Sequence, residues 1–408
     1  MTPCPQPKTF RETLAIPGVR PLWIGQIVSI AGDFLAIFAV IGIASFRLGG
    51  TPAQITGVTI SYMLPLALFG PLAGVFVDRW NPRRTMIASD LTRAALVMLL
   101  LCARSLPQIY AILFLISTVS TFFIPAQSVL VRSVVPRDAL LTANAAMQQA
   151  VLAIRMLCPA LAGALVARFG PDSCFALDTL SFLVSAWLLR GILLPPANTA
   201  GPTRKGPNHV LADLSAGIRF ILTHPSLAFV MLAMASATFA ISCFSPLIAI
   251  FVRDILHAGV RVYGVISALI GLGMIVGTQR ARRCERSPRH IVLFSLAVIA
   301  AGILLMGAAS SLLATGAGAF TMGAGVGLLM VPAQTLIQSE TPLPMVGRVS
   351  SGVMSLISAA QILGLTLSGV SAAIMGLRPL FFLSAALLAT LALVSALQSI
   401  SPREANVS

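Results

Sequence analysis

The chain has 408 residues, of which 57% are hydrophobic and 10% charged, and its formal net charge is +15. Soluble domains carry about 25% charged residues, so this chain lacks the polar surface to cover a soluble fold of its size and reads as an integral membrane protein. The basic excess does not point to nucleic acid, because lysine occurs only at Lys8 and Lys205 and the arginines stand singly or in small groups between apolar runs.

Residues 1–21 are polar and proline-rich, and the first apolar run is long enough to span, so no cleavable signal peptide is expected. A helix needs about 20 mainly apolar residues to cross the hydrocarbon core. In chain order such runs fall at 22–46, 55–77, 85–104, 107–130, 141–167, 173–194, 226–252, 259–279, 290–310, 313–337, 348–375 and 378–399, twelve in all. They are continuous and rich in Leu, Ala and Ile, whereas a β-barrel would show short alternating segments of about 10 residues. The expected fold is therefore all-α.

Nineteen basic residues fall on one side of this arrangement and six on the other, with Arg93 and Arg155 inside spans. The positive-inside rule then puts both termini in the cytoplasm of a cell (inner, cytoplasmic) membrane. The longest polar segment, 195–225, opens on Pro195-Pro196 and divides the spans six and six. The expected organisation is a bundle of residues 1–194, a cytoplasmic linker of 195–225 and a second bundle of 226–408.

The halves read as repeats. At an offset of about 207 residues, Pro125-Ala126-Gln127 meets Pro332-Ala333-Gln334, Gly57-Val58 meets Gly264-Val265, Gly70 meets Gly277, and Asp78-Arg79 meets Glu285-Arg286. Parallel repeats of this kind, related by an axis along the membrane normal, are a known plan of secondary transporters.

An enzyme is disfavoured. None of the four histidines lies in mid-span, no pair has ligand spacing, and no GxxxxGK[ST] loop occurs that would cradle a nucleotide. The six cysteines form no CxxC pair, so neither a metal nor a cofactor is expected. A channel would need a filter-like repeat or rings of charge, and neither is present.

The hairpin between the second and third spans carries Gly74, Asp78, Arg79, Arg83 and Arg84, an acid and three arginines where a solvated turn needs none. It resembles the signature loop of the major facilitator superfamily, and the resemblance extends over essentially the whole chain. Leu22-Trp23-Ile24-Gly25-Gln26 with Gly32-Asp33, and Arg155 to Phe182 with its Leu177-Asp178, are similar to the drug-exporter branch that includes macrolide and enterobactin exporters. The run around Pro159 and Gly163 is similar to the antiporter signature of the fifth helix, departing from it by Cys158 where glycine is usual. The resemblance implies twelve transmembrane helices in two pseudo-symmetric six-helix bundles and a monomer. It also implies a secondary active exporter of an amphipathic, drug- or macrolide-like small molecule, working by alternating access with proton antiport. A lysophospholipid flippase or siderophore exporter shares the pattern, and a transporter-like receptor or scaffold is the non-transport reading.

Charged residues inside the bilayer need a reason, since each costs about 2.5–3.5 kcal/mol on insertion scales. Asp33 and Arg155 lie at similar depth in the first and fifth spans, and we expect them to pair facing the central cavity. Such a pair serves either as a fixed brace or as a protonation switch in which Asp33 exchanges the proton, because arginine keeps its charge. Asp178, near the outer third of its span, is expected to be hydrated and to act as a structural hydrogen-bonding residue. Asp90 and Arg93 are expected to complete the network around Asp78, Arg79 and Arg83. Asp78 would face the N-terminus of the eleventh span as a latch, stabilised by roughly 0.3–1 kcal/mol, with Glu285 a weaker copy. Gln26, Gln127, Gln148, Gln334 and Gln361 are candidate cavity-lining residues or helix–helix hydrogen-bonding groups. The tenth span, dense in glycine from Gly316 to Gly327, is expected to allow close helix approach and to bend.

Overall fold

Within a hydrocarbon layer no water is available to backbone amides, so apolar runs of this length close their hydrogen bonds within helices. The computed structural model describes residues 10–77, 80–136, 139–192, 219–283, 287–341 and 346–400. A helix stands at each of the twelve expected spans. These are α1 (Val19–Gly42, continued by a π turn Ile43–Arg47), α2 (Pro52–Val77), α3 (Pro82–Leu100), α4 (Leu106–Val134), α5 (Leu140–Phe169) and α6 (Asp172–Arg190). They are followed by α7 (Pro225–Phe244, continued to Asp254), α8 (Val260–Arg282), α9 (Pro288–Ala308), α10 (Leu312–Glu340), α11 (Val346–Met375) and α12 (Leu377–Ile400). Among the described residues, eight helices are long and apolar enough to cross a membrane. Helix α3 falls short of that standard because it carries Arg83, Arg84, Asp90 and Arg93.

Local chemistry sets the helix ends. Asn81 caps α3 by accepting the Arg84 backbone N–H at 3.1 Å, with Pro82 in the first turn. Ser311 does the same for α10 through Ala314 N–H at 3.3 Å. Helices α5 and α11 both stop at a glycine with positive φ, Gly170 (81°) and Gly376 (84°), a conformation that favours glycine.

The chain divides into two compact units, Met1–Gly50 with Gly57–Gly201 and Thr51–Thr56 with Pro202–Ser408. Their internal pairings repeat. In the first, α1 packs on α6 and α5, and α3 on α6 and α4; in the second, α7 packs on α12 and α11, and α9 on α12 and α10. The helix lengths repeat too, with 29 residues in both α4 and α10 and 30 in both α5 and α11. The capping serines Ser105 and Ser311 and the terminal glycines Gly170 and Gly376 are each 206 residues apart. This spacing differs by one residue from the offset at which the Pro-Ala-Gln triplets align.

The glycines of α10 do what their density suggested for packing. A Cβ on Gly323 or Gly327 would run into the carbonyls of Ile270 and Met274 on α8, and one on Gly273 or Gly277 of α8 would run into those of Phe320 and Ala324 on α10. The two backbones therefore interlock reciprocally, as small-xxx-small faces allow. On its other side α10 presents Gly318 and Gly325 to α9, against Met306 and Ile299. Helix α10 is thus wedged between two partners. We expect Gly277→Leu or Gly323→Leu to destabilise the protein by at least the 1–3 kcal/mol typical of overpacking. Gly259→Ala, whose Cβ would enter open space, should leave stability unchanged. Thermal unfolding of the purified protein in detergent checks both.

Candidate functional site

Four charged side chains inside the first unit set the site. Asp90 and Arg93 are three residues apart, so they share the buried face of α3 with Met86, Ser89, Ala94 and Val97. That face turns toward α6 and α4. Arg93 Nη2 donates to Asp90 Oδ1, and Arg93 Nη1 lies 3.7 Å from Asp33 Oδ2 of α1. The guanidinium carbon stands 4.5 Å from the ring centroid of Phe123 (α4) and 4.3 Å from that of Phe182 (α6). Arg93 is therefore clamped between two aromatic faces while its nitrogens bridge two carboxylates. Arginine suits such a place because its plane stacks while its edge donates.

Exposure separates the members. The side chains of Asp90 and Arg93 are 0% and 4% exposed, whereas that of Asp33 is 23% exposed. Asp33 is the least buried of the three. Asp90 Oδ2 and Arg93 Nε are buried and make no hydrogen bond to a described residue, and neither does Gln26 Oε1 nearby on α1.

Asp178 of α6 joins from the third side. Gly32 leaves room for it, since a Cβ there would collide with Asp178 Oδ1 and Ser181 Oγ. Gly25, one helical stretch earlier, lies against Ser185, whose hydroxyl reaches the Asp90 carboxyl. These two glycines bring α1 against α6. Ser181 Oγ stands 3.2 Å from Asp178 Oδ1 and 2.7 Å from its backbone carbonyl. Tyr62 of α2 lies in the field of Asp33, Arg93 and Asp178.

Two expectations change. Asp90 and Arg93 do not join Arg83, because at about 1.5 Å per residue they stand roughly 12 and 16 Å into α3 from Pro82; Asp78 and Arg79 lie outside the described residues. Arg83 instead donates through Nη1 to the Ile192 carbonyl at 2.7 Å, closing the end of α6. Asp178 is not hydrated; it is 1% exposed, although its hydrogen bond to Ser181 fits the structural role expected of it. Among the described residues, the cation on Asp33 is Arg93. From the helix ends on one side, Asp33 lies about 21 Å in, Arg93 about 16 Å and Asp178 about 18 Å. What the sequence does not signal is which helices adjoin.

The other candidates are distributed. Arg155 and Pro159 belong to α5, as does Gln148, and Gly74 to α2, but their side-chain surroundings lie outside the described residues, so the expected Asp33–Arg155 pair does as well. Asp78, Arg79 and Glu285 also lie outside them, and with them the expected latch. Arg84 contributes its backbone N–H to the α3 cap. Gly163 is buried on α5; Gln127 and Gln361 are half-buried on α4 and α11; Gln334 is exposed on α10.

The second unit has no such cluster at the corresponding positions. At the 206-residue spacing set by the caps, Asp90, Arg93 and Asp178 fall on Leu296, Ile299 and Ser384, the first two fully buried.

The family signature of the Major Facilitator Superfamily matches residues 22–351, and again 230–406. The chain belongs to the Major Facilitator Superfamily. It is a multi-pass membrane transporter and not an enzyme. It is 29% identical over 397 residues to the MFS-type transporter YfiS of Bacillus subtilis (strain 168), covering 93% of this chain and 92% of that protein. It is 25% identical over 385 residues to macrolide efflux protein A of Streptococcus pyogenes, covering 91% and 94%. Among solved structures, an inward-facing, unoccupied bacterial homologue of the human lysosomal transporter Spinster superposes with a TM-score of 0.70 at 13% identity, covering 94% of this chain and 97% of that one. That likeness establishes the superfamily fold.

Removing one partner of a buried ion pair leaves an uncompensated charge, at a cost of about 3–5 kcal/mol. Arg93→Leu should therefore destabilise the transporter strongly, and the double variant Arg93→Leu/Asp90→Leu should be more stable than Arg93→Leu alone. A double-mutant cycle on thermal unfolding measures this coupling; additive effects would show that the two side chains do not act as a pair.

Proposed function

We propose that this superfamily member is a secondary active exporter of amphipathic small molecules, driven by proton antiport, in which Asp33 exchanges the proton. The observation that carries the reading is the position of Asp33, partly exposed at the edge of a cluster whose other members are sealed. Arg93 stays charged at any accessible pH and is fixed by Phe123, Phe182 and Asp90. When Asp33 takes a proton, its attraction to Arg93 is lost and the guanidinium remains with Asp90. The 3.7 Å contact between α1 and α3 is then the one that breaks. When substrate or the opposite compartment draws the proton away, the contact re-forms. Alternation of access to Asp33 ties proton movement to that of substrate.

Export of an amphipathic molecule is supported by the similarity over most of the chain to macrolide efflux protein A. In this reading two halves, residues 1–194 and 226–408, rock about a mid-membrane site, joined by a linker of 195–225, with both termini cytoplasmic and the protein a monomer in the cell membrane. The proton site belongs to the first half. Arg155, on the helix beside α1, is a second cation available to Asp33 in the other access state.

Proteoliposomes test the reading. With a macrolide or a lipophilic cation as substrate, wild-type transport should accelerate when a pH gradient is imposed. Asp33→Asn should reduce it to the rate seen without the gradient, while substrate exchange continues. Transport indifferent to both the gradient and the substitution would refute proton antiport. Movement of labelled lysophospholipid in place of drug in the same vesicles would reassign the substrate.

A further inference from the structure

Helices α2 and α4 of the first unit run side by side without closing on one another along their length. Tyr110 of α4 lies against Gly57 of α2, its hydroxyl 3.3 Å from where a Cβ would stand. The rings of Phe69 (α2) and Phe114 (α4) meet edge to face with 6.3 Å between centroids. Further along α4 the two helices enclose a pocket of about 400 Å³, a volume typical of small-molecule sites. Leu66 of α2 forms one wall, and a stripe of α4 that runs from Thr121 through Pro125 and Val129 to Arg132 forms the other. Steps of three and four residues keep that stripe on one helix face.

The pocket is polar at one end only. Arg132 stands in the last turn of α4 and is exposed, and no described carboxylate pairs with it. Leu66 and Ile124, 48% and 50% exposed, present apolar surface beside it. The two hydroxyls in the lining are already committed. Thr121 donates to the Ser117 carbonyl at 2.8 Å and Ser128 to the Ile124 carbonyl at 3.2 Å. Thr121 lies about 16 Å from Arg132 along the helix. Among the described lining residues, the guanidinium is therefore the group left to recognise a polar head, and everything inward of it suits an apolar body.

We infer that the α2–α4 pocket binds a single-headed amphipathic anion, its carboxylate or phosphate held by Arg132 and its apolar body lying along Leu66, Ile124 and Val129. A guanidinium meets either head group bidentately, and it repels a cationic amphipath of the same shape. What becomes of the bound molecule rests on the export reading, whose substrate class this site narrows to anions. Binding itself is measured apart from transport and apart from Asp33.

Alkylation of a cysteine in the pocket tests the inference. In the full chain carrying Ser128→Cys, reaction with a maleimide is followed at that residue by peptide mass spectrometry, so that the native cysteines do not interfere. Dodecanoate or dodecyl phosphate should slow the reaction, and the stronger protector identifies the head group; dodecylamine and dodecanol at equal concentration should not slow it. Arg132→Gln should weaken protection by the anion about tenfold, and Arg132→Lys should keep part of it. If Ser128→Cys does not fold, Ile124→Cys reports on the same pocket. Protection by the amine or the alcohol equal to that by the anions overturns the inference. So does anion protection that survives Arg132→Gln, or protection by phosphatidylglycerol alone, which would make the pocket a bilayer contact. Loss of the anion preference while a pH gradient still drives transport would sink this site and leave the export reading standing. Anion protection in a chain whose transport ignores the gradient would do the reverse.

Discussion

A guanidinium inside a membrane bundle has to be held on every side, and the first unit is built around that requirement. Placing Arg93 at the depth of α3 costs about 2.5–3.5 kcal/mol on insertion scales. Two desolvated ring contacts, each contributing about 2 kcal/mol, are of the same size as the cost. The carboxylates of Asp90 and Asp33 then satisfy the charge itself. Phe123 comes from α4, Phe182 from α6, Asp33 from α1 and Asp90 from α3, so one side chain draws four helices together. Gly25 and Gly32 make the last of these approaches possible by letting α1 lie flat on Ser185, Ser181 and Asp178. The order of the bundle near its centre is the order that Arg93 needs.

The second unit carries no charge at the matching interior positions. Where Asp90 and Arg93 stand in α3, the matching positions of α9 hold Leu296 and Ile299, both fully buried. Its closest contacts are backbone on backbone, between Gly273 and Gly277 of α8 and Gly323 and Gly327 of α10. Dispersion at such short separations needs no titrating group and does not respond to pH. The repeats have kept the lengths of two helix pairs, the Ser105/Ser311 and Gly170/Gly376 helix ends and four of the pairings while diverging in what fills the interior. Among the described residues, the buried charged cluster therefore belongs to one half and the closest backbone-to-backbone packing to the other.

Most of the fold was legible because it follows from the length and apolarity of the runs. Every expected span has its helix, and the repeat was visible in the Pro-Ala-Gln triplets before the caps set its spacing at 206. The site was less so. Asp33, Asp90, Arg93 and Asp178 could each be picked out as charges where charge is costly, yet their partners could not. Depth along a helix follows once its ends are known. The observed ends place Asp33, Arg93 and Asp178 within a few ångströms of one level, whereas the sequence had put Asp178 nearer the outer surface. Azimuth and adjacency cannot be counted that way. The rotation of α3 that aims Arg93 inward is fixed by packing of Met86, Ser89, Ala94 and Val97 against neighbours that lie far away in the chain. The aromatic clamp was hidden for a different reason: Phe123 and Phe182 look like any other apolar residue in an apolar helix.

In the proposed mechanism, the partial exposure of Asp33 is what distinguishes it from a structural brace. A carboxylate sealed as completely as Asp90 would be a brace, because neither water nor a proton would reach it without disrupting the bundle. One fully in water would exchange protons freely and transmit nothing, since its attraction to Arg93 would be screened to a fraction of a kcal/mol. At 23% exposure and 3.7 Å from a guanidinium that lies between two aromatic rings, Asp33 lies between these limits. The clamp matters as much as the access. A mobile cation would follow the carboxylate or find another partner, and protonation would change nothing else. Because Arg93 is held by two rings and by Asp90, the proposed loss of charge on Asp33 would act on the α1–α3 contact.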